Sequence, residues 1–518
     1  MKLEYSVFKD KIIGCWLGKN IGGVLGAPFE GKRQINNVDF YVQDLNGNPP
    51  ANDDLDLQLV WLNAVEQYGR QINANILSEY WLSYIIPNWV EYGSGKNNLK
   101  MGFLPPISGY LENPYKNSCG CFIRSEIWAC LAPGHPEIAV RYAYEDAIVD
   151  HSDEGLYAEI FCAAVQSAAF VESDKYELID IGLSYIPESC GIAKGIKTAI
   201  DAFKTGNSIV EARKKVLTAV PGSFGIQGMP LDKIPQDVPV GKPGYDAPSN
   251  IGIIIIGWLY GEDDFGKSLC IANNCGEDTD CTCATLGAIL GIVHGSKWIP
   301  RKWTEPIGDI ISTICINKLN GGLSIPETVT ELADRLLRLT PSFLGAKFCD
   351  ILAGNDGYTI DVLKGENLNC SKGDKFVPGI NTHSIENALS FEELIDLPPY
   401  AVKYQFPAFH VIVDYMGDPY VKLNNRKIVK LVIRDSTHLG SHNQQWINIK
   451  WYYREGIRVL PSSDFSFFMQ TLYKTKEEIE FEILVENFVG YKIELLVDIS
   501  VNGRHSNGII KVVLIPKF

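Results

Sequence analysis

The hydrophobic period changes once along this chain, and that change limits the possible folds more than any other feature. Up to about residue 345, apolar residues recur at helical spacing. Ile12, Ile13, Trp16 and Leu17 lie beside Gly14, Gly18 and Gly22, small residues four apart that let another helix come close. Leu55, Leu57, Leu59, Val60 and Leu62 continue into a second helix. Ala158, Ile160, Phe161, Ala164, Val165 and Ala168 form a third that is apolar nearly all round. Ile251–Leu259 follows Ser249 and Asn250, both good N-cap residues, and Ala284, Leu286, Ile289, Leu290 and Val293 form a further helix. From about residue 400 the period is two. Ala408–Asp414, Lys427–Arg434, Gln445–Trp451, Glu478–Glu486 and Lys492–Val501 alternate, with turn residues at Gly417-Asp418, Asn424-Asn425 and Asn502-Gly503. Short strands at this spacing predict a β-sandwich. The expectation is a multidomain α + β chain. An all-α domain covers 1–345 and a linker or irregular segment covers 346–400, with turn chemistry at Gly354–Gly357, Asn367–Asp374 and Pro398-Pro399. A β-sandwich-like domain covers 401–518.

At 518 residues the chain is long enough to bury a core without a metal or disulfide staple. Its 13 cysteines are scattered, with C-x-C at Cys119/Cys121 and Cys281/Cys283 but no C-x-x-C pair. That argues against a zinc ribbon, a thioredoxin motif or a secreted disulfide framework, and for thiols in a reducing cytoplasm. The net charge of −15 repels a nucleic-acid backbone. Glu4, Lys9, Asp10 and Lys11 interrupt any signal-peptide core, and the most apolar run, Ile251–Tyr260, is far short of the roughly 20 residues that span a bilayer. The expected compartment is the cytoplasm, with no membrane partner.

Two acidic clusters stand immediately ahead of helices: Asn52-Asp53-Asp54-Leu55-Asp56, and Gly276-Glu277-Asp278-Thr279-Asp280-Cys281-Thr282. One Asp at a helix start is ordinary capping and dipole chemistry. Three carboxylates within five residues exceed that need, since their repulsion is costly unless a cation sits among them. Oxygen donors of this kind select Mg²⁺, Mn²⁺ or Ca²⁺ over zinc. Capping and metal binding both remain open on these residues alone. Upstream, Gly22-Gly23-Val24-Leu25-Gly26-Ala27-Pro28-Phe29-Glu30 ends a Gly-striped helix in a stiff turn, and Glu30 by itself reads as a surface carboxylate.

The ordered set is more specific than its parts. A Gly-striped helix ending L-G-x-P-x-E, then D-D ahead of a helix, then D-T-D ahead of A-x-x-G-A-I-x-G resembles the ADP-ribosylglycohydrolase family. That family holds the dinitrogenase-reductase-activating hydrolases and the ADP-ribosyl-acceptor hydrolases. Tyr92-Gly93, Pro105-Pro106-Ile107-Ser108-Gly109, Gly120-Cys121-Phe122-Ile123-Arg124 and Asp146–Asp153 resemble its larger bacterial members. The likeness spans about residues 8–300. It implies an all-α glycosyl hydrolase domain with two Mg²⁺ or Mn²⁺ ions, acting on an ADP-ribosylated protein or a small ribosyl substrate.

The resemblance implies metal ligands at Asn52, Asp53, Asp54, Asp278 and Asp280. Asn52 stands where the family has Thr and offers an amide oxygen. Cys281 stands at the second Thr position, and a thiol is a poor Mg²⁺ ligand, so Thr282 is the substitute. Glu30 matches the carboxylate near the scissile bond, while Gly23 replaces an Asp. The backbone at Ser118, Cys119, Gly120 and Cys121 is expected to face a diphosphate. His151 matches a histidine near the nucleotide; read alone, beside Asp150 and Asp153, it is a hydrogen-bonded structural residue.

Such a site would stabilise an oxocarbenium-like transition state at C1″. The alternatives are a hydrolase of small N- or O-ribosyl compounds, or a structural or binding protein that has lost catalysis. Trp16, Trp61, Trp81, Trp89 and Trp128 are expected in the core, and Arg124 either pairs with a helical carboxylate or meets a phosphate.

Overall fold

A computed structural model describes residues 1–223, 237–238, 240–242, 244–318, 322–351, 357–370, 397–406, 409–435, 445–469, 476–487, 490–502 and 507–517. The turn expected at Gly354–Asp356, the loop at 371–374, Ala408 and Gly503 lie outside these residues. The chain divides into two compact units, Met1–Val377 and Pro378–Phe518.

The first unit is helical and is organised on one close helix pair. The Tyr5–Gly26 helix lies along the Thr279–His294 helix. A Cβ built on Gly18 would sit 2.0 Å from Gly287 O, one on Gly22 2.1 Å from Cys283 O, and one on Gly26 2.3 Å from Thr279 O. The fit is reciprocal: a Cβ on Gly291 would lie 1.9 Å from Gly14 O. The two backbones touch, so the small-residue stripe sets the spacing of the unit's central pair. The Asp153–Ala169 and Ala247–Tyr260 helices are buried along nearly their whole length, as helices apolar all round must be. Trp16, Trp61, Trp81 and Trp128 are core residues as expected. Trp89 is not; it is 47% exposed, because it precedes the Val90–Lys100 helix and lies outside that helix's buried face.

The unit also carries a small antiparallel sheet. Lys2–Glu4 pairs with Thr359–Asp361, which pairs with Cys349–Asp350. The N-terminus is thereby tied to residues beyond 345.

The second unit is a sandwich of two five-stranded sheets. One runs Val402–Gln405, Phe409–Asp414, Arg426–Asp435, Lys476–Val485, Ile457–Leu460, all antiparallel. The other runs Asp464–Met469, Gln445–Tyr452, Ile493–Val501, Asn507–Pro516, Tyr420–Val421, with only the last pair parallel. Period two decides the packing. Ile493, Leu495, Val497, Ile499 and Val501 enter one core with Val429, Leu431, Ile433, Phe481 and Ile483 of the other sheet. No helix among the described residues is long and apolar enough to cross a membrane.

Candidate active site

The close helix pair places two acidic segments together. The first helix ends at Gly26 and turns through Ala27–Phe29 into Glu30. Its partner begins beside that end, where Thr279 Oγ1 donates to Gly26 O at 2.8 Å. The loop before the partner helix takes left-handed geometry at Gly276 (φ 73°) and Glu277 (φ 67°). A Cβ at Gly276 would meet Gln34 O at 2.4 Å, so only glycine fits there. Glu277 is buried and forked by Arg33, with Nε to Oε1 at 2.6 Å and a second contact at 3.0 Å. Gly31 N donates to Glu277 O and Glu277 N to Lys32 O. These bonds fix Asp278 relative to Glu30. The third piece is the Asp53–Tyr68 helix, capped by Asn52, whose Oδ1 accepts from Asp54 N at 2.8 Å.

The three pieces line a cavity of about 460 Å³ that exposes Glu30, Asn52, Asp53, Asp278, Asp280, Cys119, Gly120 and Cys281. Two groups of donor atoms each fall within 4.8 Å of one another: Asp54, Asp280 and Cys281, and Glu30, Asp278 and Asp280. Asp280 belongs to both. Asp54, Asp278 and Asp280 are at most 5% exposed. Among the described residues, Asp54 Oδ2, Asp278 Oδ1 and Asp280 Oδ1 are buried with no hydrogen-bond partner. Buried carboxylate oxygens are normally satisfied, so this donor set fits divalent cations.

The carboxylates of the cluster repel one another. Asp280 repels Glu30 and, with burial and Asp53, raises it to about 8, while a hydrogen bond from Tyr245 pulls it back. Burial raises Asp54 to about 8 against the pull of Lys19, and burial with Asp54 raises Asp280 to about 7. Burial lifts Asp53, opposed by Tyr92, whose hydroxyl donates to Asp53 Oδ2 at 3.0 Å. Behind the cluster, buried Lys19 donates to Glu126 Oε1 at 3.1 Å and to Ile123 O at 2.6 Å, and Gln58 donates to Asp54 O and Glu126 Oε2.

The remaining sequence candidates are distributed differently. Thr282 is buried, its hydroxyl donating to Thr279 O at 3.2 Å, whereas Cys281 reaches the cluster and donates to Asp54 Oδ1 at 3.4 Å. Ser118 N and Cys119 N are committed to Tyr115 O and Tyr245 O. Cys121 points inward, its thiol donating to Glu159 Oε2 at 2.8 Å. His151 is fully buried behind the wall, with Nε2 2.8 Å from Ser118 Oγ and Nδ1 3.0 Å from Asp150 Oδ1. Arg124 is structural, buried between Asp146 and Asp150. Asp56 turns from the cavity and accepts from Ile314 N and Cys315 N, both at 2.6 Å.

The cavity also exposes Trp89, Glu91, Tyr92 and Tyr245, to which sequence reasoning gave no role in the site. Tyr92 had a signal, its place in a motif of the resemblance. Tyr245 had none, since it arrives from a distant loop.

A helical unit with an acidic, cation-type cavity is the class of protein that the fold and site define. The sequence model of the ADP-ribosylglycohydrolase family matches residues 4–342, and the chain belongs to that family; it is a glycosyl hydrolase. Two solved structures show a distant likeness. An ADP-ribosylglycohydrolase-related protein complex is 19% identical with a TM-score of 0.40, covering 65% of this chain and 99% of its own. The alkylpurine DNA glycosylase AlkC of Pseudomonas fluorescens, bound to DNA containing an abasic-site analogue, is 10% identical with a TM-score of 0.14, covering 90% and 99%. At these scores neither adds to the argument. No curated protein matches the chain.

Proposed function

We propose that the protein hydrolyses the ribosyl C1″ bond of an ADP-ribosylated substrate with the help of two divalent cations, Mg²⁺ or Mn²⁺. The observation that carries this reading is the meeting of Glu30, Asp53, Asp278 and Asp280 at one cavity, with Asp54 grouped behind them with Asp280 and Cys281, and with buried carboxylate oxygens left without partners. Asp53, Asp54, Asp278 and Asp280 would hold the cations, Asp280 belonging to both donor groups. Bound there, the cations supply positive charge that orients ribose hydroxyls and makes water more acidic.

The chain's own groups do the rest. Glu30 stands at the cavity edge with Tyr245 hydrogen-bonded to it. With the charge of Asp280 balanced, the repulsion that raises Glu30 would be relieved and Glu30 would be ionised. It then faces the positive charge that develops at C1″ or takes the proton of the attacking water. Tyr92 fixes Asp53 through its 3.0 Å hydrogen bond. Trp89 and Tyr92 lie with ring planes 25° apart and centroids 6.4 Å apart, and the exposed Trp89 ring offers a flat face at the mouth.

The test is a hydrolysis panel of Ser-, Arg- and nucleic-acid-linked ADP-ribose and simple nucleosides, with and without divalent cation. Glu30→Gln is expected to lower kcat by on the order of 100- to 10,000-fold while cation binding persists. Full turnover in the variant removes Glu30 from its role. Cleavage confined to nucleosides moves the substrate to the small ribosyl compounds.

A further inference from the structure

The two donor groups that share Asp280 are chemically unequal. Asp278 and Asp280, with the reacting Glu30 carboxylate beside them, offer only oxygen, whereas Asp54 and Asp280 are joined by the Cys281 sulfur. Cys281 follows Asp280 on the first turn of the Thr279–His294 helix. Its thiol already points at the cluster, donating to Asp54 Oδ1. A second thiol stands beside it: Cys119, also on the cavity wall, hydrogen-bonds with both Cys281 and Asp278. The oxygens that would complete the sulfur-bearing position, Asp54 Oδ2 and Asp280 Oδ1, are buried and without partners among the described residues. Thr282, the hydroxyl alternative, is turned back to its own helix.

We propose that Cys281 ligates one of the two cations, so that the Asp54/Asp280/Cys281 position selects a thiophilic ion such as Zn²⁺ over Mg²⁺, while the all-oxygen position does not. This rests on the two-cation reading above and changes the identity of one ion. Sulfur is a soft donor that Mg²⁺ binds poorly and Zn²⁺ or Co²⁺ binds well. The balance is simple: the S–H bond breaks, a metal–sulfur bond forms, and the proton now directed at Asp54 leaves to solvent.

Cobalt(II) is the direct probe, because sulfur-to-cobalt charge transfer absorbs in the near ultraviolet and oxygen ligands give no such band. The full chain is stripped with chelator under reducing conditions and titrated with Co²⁺. One charge-transfer band per chain is expected, displaced by equimolar Zn²⁺ but retained against a roughly 100-fold excess of Mg²⁺. Cys281→Thr loses the band and weakens Zn²⁺ by roughly 100-fold while Mn²⁺ still binds by electron paramagnetic resonance. Cys281→Ser, checked by its melting curve, separates ligand loss from misfolding. Co²⁺ binding without the band, displacement by Mg²⁺, or a band that survives in Cys281→Thr and vanishes in Cys119→Ser overturns the proposal. If no cation binds at all, the two-cation reading fails with it. If the band appears but Glu30→Gln retains full turnover, only the role given to Glu30 fails.

Discussion

Replacing Gly18 with alanine tests the crossing on which the site depends, and the sign of the effect is diagnostic. In an ordinary helix interior, glycine to alanine stabilises by about 1 kcal/mol. Here the added Cβ would lie 2.0 Å from Gly287 O and 2.5 Å from Gly287 C. Carbon contacts settle near roughly 3.5 Å, so the helices must part by about 1.5 Å. The obstacle is backbone, and no side chain can rotate away. Overpacking of this kind costs roughly 1–3 kcal/mol, here at the top of that range. Against the propensity gain, the net loss is about 2 kcal/mol, or roughly 2–3 °C in Tm for a unit as long as Met1–Val377. Parting the pair also shifts Asp278 and Asp280 from Glu30, so cation affinity falls in the same variant. The assay is a thermal melt with and without Mn²⁺, with Ser6→Ala on the exposed side of the same helix as control. If Gly18→Ala melts at or above the control and binds Mn²⁺ as well as the unaltered protein, the close-contact argument is wrong.

Three further outcomes follow from the same geometry. With chelator present, Tm should fall as pH rises from about 5 to 8: Asp54 is held up to about 8 and Asp280 to about 7, so the folded state keeps protons that the unfolded chain has lost above about 4. Divalent cation should flatten that slope, and a flat or rising curve in chelator contradicts the strained cluster. Arg124→Leu strands Asp146 and Asp150 in the interior and should cost about 3–5 kcal/mol. Lysine should not rescue it, lacking the fork that meets both carboxylates; melting near the unaltered protein refutes the pairing. Trp89→Ala should leave Tm nearly unchanged, since the ring is half-exposed, and raise KM by roughly 2- to 10-fold, the worth of one aromatic stack. An unchanged KM removes the ring from substrate binding.

What was legible in the sequence is what depends on local order. Glycines four apart on one helix, with Gly287 and Gly291 four apart on its partner, can be read as a close pair. Alternation from Ile493 to Val501 can be read as one buried face. Acidic residues just before a helix can be read as converging on its start. What was not legible depends on depth and rotation. Each helical step turns about 100°, so Cys281 and Thr282 cannot present the same side, and only the fold shows which one reaches Asp54. Asp56 belongs to the same run as Asp53, yet the backbone of Ile314 and Cys315 claims it from far along the chain. Trp89 has the composition of a core residue and the position of a rim residue. Tyr245 reaches the cavity from a distant loop held by Cys119 N, a contact no local pattern announces.

The departures from the family pattern are also connected, although in sequence they stand apart. The resemblance expects a carboxylate at position 23 and a threonine at position 52. A Cβ on Gly23 would sit 2.5 Å from Asn52 Nδ2, so the amide occupies the volume a side chain at 23 would need. That same amide nitrogen reaches to within 3.5 Å of Asp280 Oδ2. The exchange therefore removes one negative charge and places a donor against the shared carboxylate, where the carboxylates most strongly repel. A cation site with one charge fewer holds its ion less firmly, unless another ligand supplies the charge when the ion arrives. Cys281 can do so: neutral while its thiol bonds Asp54, it becomes a thiolate on binding a metal. Gly23, Asn52 and Cys281 then form one physical unit, a site less repulsive when empty and recharged by sulfur when filled.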